Sequence, residues 1–124
     1  MLPVRLLIIE QNAFMMNRIL QVLSYEADQD IEILAAFPSV EEANEQNWAE
    51  APPDIVLVDF DSFRSPAMGG LLDVSRVAGR PKLIVLTVSS DKRYRDQALG
   101  GHADGWLPKE AIDRHLAKTI RSLL

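Results

Sequence analysis

The chain has 124 residues, 48% of them hydrophobic and 25% charged, which fits one folded domain and excludes a disordered segment. It contains no cysteine, so a disulfide framework, a thiolate zinc site, a cysteine nucleophile and an iron–sulfur cluster are all excluded. The net charge of −5 is unevenly placed: residues 1–62 carry two arginines against twelve acids, residues 63–124 eleven basic residues against six.

An acidic whole, without a basic patch interleaved with aromatics, argues against this chain itself contacting nucleic acid. The opposite signs of the two halves read first as two solvated faces, and second as a basic surface offered to a partner by the C-terminal half. The opening MLPVRLLIIEQN holds an apolar run too short to span a membrane, and no cleavage pattern of a signal peptide follows it. The expectation is a cytoplasmic chain with no membrane partner.

In chain order, Val4 to Ile9 is a continuous aliphatic run, the pattern of a strand buried on both faces. Residues 13–27 follow with helical spacing, Phe14, Met15, Ile19, Leu20 and Leu23 forming the expected apolar stripe and Asn12 the N-cap. Ile31 to Phe37 is a weaker strand candidate. Ser39 and Glu42 form a capping-box pair at the head of a predicted helix over 39–50. Ile55 to Val58 is a second aliphatic run. Residues 69–79 are weakly helical and closed by Gly79 and Pro81, and Leu83 to Leu86 is a third aliphatic run. Residues 91–99 predict a helix stopped by Gly100 and Gly101, and Gly105 to Leu107 a short strand. Residues 110–124 place Ile112, Leu116, Ile120 and Leu123 on one face of a last helix.

Five alternations of strand and helix imply right-handed crossovers, a parallel sheet and helices on both sides, in one domain over residues 1–124. In such sheets the working site lies at the carboxyl ends of the strands. There the sequence places Glu10, Gln11 and Asn12, then Asp59 and Asp61, then Thr87, then Lys109. Each has a plain structural role available: a turn former, a cap, a solvated charge. Four suitable types at successive strand ends point instead to one crevice. Clustered carboxylates repel unless a proton or cation lies between them, and magnesium prefers such hard oxygen ligands. A carboxylate can also attack phosphorus, and a hydroxyl with an ammonium would then hold the phosphoryl oxygens.

LLIIEQ, DIVLVDFD, IVLT and ADGWLPK, in this order, resemble the receiver domain of two-component response regulators over nearly the whole chain. LIIEQNAFMMNRILQVL and ALGGHADGWLPKEA look most like the subfamily whose receivers precede a helix-turn-helix output domain. The resemblance implies a flavodoxin-like (βα)5 fold, with no output domain in this chain, so that any DNA contact falls to an output domain outside it. It implies Asp59 as phospho-acceptor and a sensor histidine kinase as phosphodonor. Magnesium would be held by Glu10, Asp59, the Asp61 main-chain carbonyl and, weakly, Gln11. Thr87 and Lys109 would hold the phosphoryl oxygens, and Trp106 stands where a ring reports the position of the switch threonine. Such a domain is a switch rather than an enzyme turning over substrate, with residues 91–106 and the last helix as the responsive surface and a homodimer as a further partner.

The sequence departs from the family at four points. Gln11 replaces the second acid, so magnesium should bind more weakly. The loop FDSFRSPAMGG after Asp59 is about three residues longer than the usual turn. Trp106 is larger than the customary ring, and Pro108 precedes Lys109 where a proline often follows it. Gln11 and the long loop favour an alternative, a pseudo-receiver that serves only as an interaction or dimerisation module. A distant alternative is a haloacid-dehalogenase-type phosphatase, suggested by VDFDSF. That motif normally closes the first strand, not the third.

Overall fold

The computed structural model describes residues 2–26, 30–46, 48, 50–59, 81–87 and 103–123. The elements among them are β1 (Val4–Ile9), α1 (Ala13–Glu26), β2 (Ile31–Phe37), α2 (Val40–Asn44), β3 (Ile55–Asp59), β4 (Lys82–Thr87), β5 (Gly105–Pro108), a single 3-10 turn (Lys109–Ala111) and α3 (Ile112–Ser122). The predicted helices over 69–79 and 91–99 and the long loop after Asp59 lie outside the described residues. None of the described helices is long and apolar enough to cross a membrane.

The five strands form one parallel sheet in the order β2-β1-β3-β4-β5. Its two faces explain the uninterrupted aliphatic runs. Leu6, Ile8, Ile55, Leu57, Ile84 and Leu86 point to the side covered by α1 and α3, where Ile19, Leu23, Ile112, Leu116 and Ile120 meet them. Leu7, Ile9, Val56, Val58, Leu83 and Val85 point the other way, against Val40 and Ala43 of α2 and the Trp48 ring. Neither side of a central strand reaches water, so alternation with polar residues would bury unpaired polar groups on one face.

Two expectations are corrected. Helix α2 covers five residues rather than the length 39–50. Ser39 Oγ accepts from the Glu42 N–H as the cap requires, but the helix stops where the Gln46 N–H and the Trp48 indole both take the Ala43 carbonyl, the indole at 2.7 Å. Trp48 then lies edge-on to Phe37, so burial of the ring is favoured over another helical turn. The second correction concerns Phe14, which is 80% exposed rather than part of the buried stripe. Nine positions separate it from buried Leu23, about half a turn out of phase, so the two cannot share a face. The last helix opens as a 3-10 turn at Lys109, and Leu123 at its end packs partly against the core rather than standing free.

Candidate functional site

The register of the sheet fixes what meets at its carboxyl edge. Ile9 pairs with Val58, so the next residues, Glu10 and Asp59, end level on adjacent strands. Asp59 pairs with Leu86 and Thr87 with Pro108, which sets Thr87 one step beyond Asp59 and Lys109 directly after β5. The chain order reverses between β1 and β3, and a crevice opens at such a switch point outside the strand ends. Glu10 and Asp59 stand on either side of it.

All three polar residues of this edge are buried: Glu10 is 1% exposed, Asp59 0% and Thr87 1%. Lys109 lies three strand spacings from β1, about 14 Å at the usual separation. Its ammonium nevertheless reaches Glu10, with Nζ 3.0 Å from Oε1 and donating to Oε2 at 3.3 Å. Two main-chain N–H groups from the turn before α1 complete the arrangement. Gln11 N donates to Asp59 Oδ2 and Asn12 N to Glu10 Oε2, each at 3.2 Å. The turn is held by Asn12, whose Oδ1 caps α1 by accepting from the Met15 N–H. Reading Asn12 only as a cap missed its second part: a residue that starts a helix directly after a strand also aims main-chain donors at that strand's end.

Burial pushes the Glu10 carboxyl up to about 7 from an ordinary 4.5. A hydrogen bond with the Asp59 side chain and the repulsion of its charge raise it further, while Lys109 and the Asn12 N–H pull the other way. Two carboxyls in a dry crevice cannot both ionise freely, which favours the protonated form of Glu10. Glu10 Oε1 is buried and accepts no hydrogen bond, the ammonium 3.0 Å away being poorly aligned for one. An acceptor of this kind, beside a second carboxylate, suits a hard cation that would displace the Glu10 proton.

The structure therefore brings Glu10, Asp59, Thr87 and Lys109 to one rim, as the sequence led us to expect. The Gln11 side chain is exposed, and the residue touches the site through its main chain. Trp106 is half-buried on edge strand β5, opposite Val85. Asp61 lies outside the described residues. Among the described residues no three His, Asp or Glu side chains converge as a metal cluster.

No family model matches the chain. A curated relative, the oxygen regulatory protein NreC of Staphylococcus aureus, is 28% identical over 122 residues, which is 96% of this chain and 54% of that protein. The chain thus spans about half the length of the curated relatives it matches. Among solved structures, the signal receiver domain of a NarL response regulator from Mycobacterium tuberculosis superposes with a TM-score of 0.77 at 17% identity, covering 98% of this chain and 95% of that one. A LuxR-family DNA-binding response regulator from Staphylococcus aureus gives 0.74 at 22%, covering 97% and 98%. A CheY-like receiver domain from Methanospirillum hungatei gives 0.73 at 19%, covering 98% and 93%.

Proposed function

The chain has the flavodoxin-like fold of response-regulator receiver domains, LuxR- and NarL-type regulators among them, and on that premise we propose that Asp59 accepts a phosphoryl group from a sensor histidine kinase. One observation carries the reading: a buried pair of carboxyls at the switch point of the sheet, with a buried hydroxyl beside it and a lysine reaching across. An Asp59 carboxylate oxygen would attack phosphorus while the bond from phosphorus to the donor's imidazole nitrogen breaks and its electron pair returns to the ring. Lys109 and Thr87 would bind the phosphoryl oxygens.

Glu10 and Asp59 would hold a magnesium ion, and the resemblance adds the Asp61 main chain and, weakly, Gln11 as further oxygen donors. When bound, magnesium neutralises charge between the carboxylates and the incoming phosphoryl group. Glu10 must first release its proton, and Lys109 must turn part of its charge from Glu10 to the phosphoryl oxygens. That transfer of the ammonium is the step by which the site signals to β5, Trp106 and α3. The unit 1–124 would act in the cytoplasm as a switch, and any DNA contact would belong to an attached output domain.

The test is intact mass after incubation with magnesium and acetyl phosphate. The expected result is one phosphoryl group per chain, lost in base and absent from Asp59→Asn. A chain that neither gains mass nor binds magnesium at millimolar concentration is instead the pseudo-receiver, which the exposed, uncharged Gln11 favours. Repeated turnover of a phosphate ester would return the phosphatase reading.

A further inference from the structure

The turn from β1 into α1 is held at both ends. Glu10 is tied to the sheet, its N–H donating to the Phe37 carbonyl of β2 at 3.0 Å. The helix begins at Ala13, and Asn12 before it is bound twice. Its Oδ1 accepts from the Met15 N–H at 3.0 Å, its carbonyl from the Met16 N–H at 2.9 Å. Gln11 and Asn12 alone join the fixed strand end to the first helical residue. They hold about four soft dihedrals, so whatever holds Asn12 also decides where the two N–H groups of the turn point.

Those N–H groups meet the two carboxyls of the rim, each on one oxygen. Asn12 donates to Glu10 Oε2 and Gln11 to Asp59 Oδ2, both at 3.2 Å. The last torsion of a carboxyl side chain is broad, and a main-chain donor on one oxygen fixes it. On Glu10 the result is visible. Oε2 takes the amide and the Lys109 ammonium, and Oε1 is left buried without a hydrogen bond. The donors also show what an uncharged residue at position 11 contributes. The residue is exposed, and the group it lends to the site is a main-chain N–H at the head of α1, whose partial positive charge offsets a carboxylate.

We propose that Asn12 is a positioning residue of the rim: its side-chain cap fixes the turn, and the turn fixes the rotation of both Glu10 and Asp59. The chemical consequence rests on the reading of Asp59 as phospho-acceptor; the geometry does not. Attack on phosphorus needs the Asp59 oxygen correctly set, and a misplacement of about 1 Å costs roughly a hundredfold in rate. The Asn12 side chain bonds the Met15 N–H rather than either carboxyl, so it acts on them through the turn. Alanine at this position lacks the acceptor, and the two amides are released together. Serine keeps an acceptor and caps a helix about as well as asparagine.

Three variants test this: Asn12→Ala, Asn12→Ser and, as control, Ser39→Ala. The control removes the same kind of cap from α2, where Ser39 Oγ accepts from the Glu42 N–H. Both alanine variants lose a cap and lower stability, so a difference between them at the rim is local. Amide hydrogen exchange followed by NMR needs neither magnesium nor phosphodonor. The amides of positions 11 and 12 should lose about fivefold or more of their protection in Asn12→Ala and keep it in Asn12→Ser and Ser39→Ala. With magnesium and acetyl phosphate, the rate of phosphorylation should fall about tenfold or more in Asn12→Ala alone. Protection that survives in Asn12→Ala, or is lost equally in Ser39→Ala, overturns the proposal, as does an unchanged phosphorylation rate on a loosened turn. A parental chain that takes up no phosphoryl group refutes the reading of Asp59 instead, and the exchange measurement then decides the role of Asn12 by itself.

Discussion

Ion pairs of one chemistry occur in two settings of this molecule. At the strand ends Lys109 meets Glu10, the lysine side chain 13% exposed and the glutamate 0%. On the α1–α3 face Arg18 meets Asp113 and Arg121 meets Asp30, with every one of the four side chains between 40% and 50% exposed. Water screens the second pair of contacts and leaves them worth about 0–1 kcal/mol each. The first sits where charge is costly, and the protein answers by holding a proton: Glu10 titrates near 7. Burial thus turns a contact that would only decorate a surface into one that bears on a protonation state.

The largest expected effect comes from removing the buried cation. Lys109→Met leaves two carboxyls facing each other without a counter-charge, and the loss of one partner from a buried pair costs about 3–5 kcal/mol. Urea unfolding in the absence of metal should show that loss at pH 8. At pH 6 it should shrink, because Glu10 can take up a proton instead. Equal losses at both pH values would remove the contrast between the two settings.

Next comes the carboxyl itself. Glu10 binds its proton more tightly in the folded chain, near 7, than at the ordinary 4.5 of an unfolded one. Its contribution to stability is therefore full below pH 4.5 and is lost as the pH rises through 7. Glu10→Gln keeps the shape and removes the titration. It should unfold at higher urea than the parent at pH 8, by about 3 kcal/mol, match it below about pH 4, and flatten the slope between. Magnesium bound as proposed would have to displace the same proton. Affinity in the parent should fall about tenfold per pH unit below 7 and level off above it, and be largely absent from Glu10→Gln. A parental chain whose affinity is the same at pH 6 and pH 8 would separate the metal from this carboxyl.

The fold was largely legible because burial on both faces leaves an unmistakable trace: Val4–Ile9 and Ile31–Phe37 were found at their expected bounds, and the other three strands within one residue at each end. The rim was legible for the same reason, since strand ends locate the residues that follow them. What stayed hidden depended on contacts distant in sequence. That Lys109 reaches Glu10, that the Trp48 indole ends α2 at Ala43, and that burial and Asp59 push the Glu10 carboxyl up all require the sheet to be assembled first. Phe14 was misplaced because a loose apolar stripe was preferred to strict helical phase.

The exposed pairs should respond weakly, and unequally. Arg121 does more than neutralise Asp30: its Nη2 also donates to the Glu26 carbonyl at 3.2 Å, tying down the last turn of α1 from a neighbouring helix. An orphaned helix-end carbonyl gains from such a donor even when salt screens the charge. Arg121→Ala should therefore cost about 1 kcal/mol, of which a part survives in high salt. Arg18 serves only Asp113 among the contacts described, and Arg18→Ala should cost about 0.5 kcal/mol or less and nothing measurable once salt is raised. A loss from Arg18→Ala as large as that from Lys109→Met would show that exposure does not decide what an ion pair is worth in this molecule.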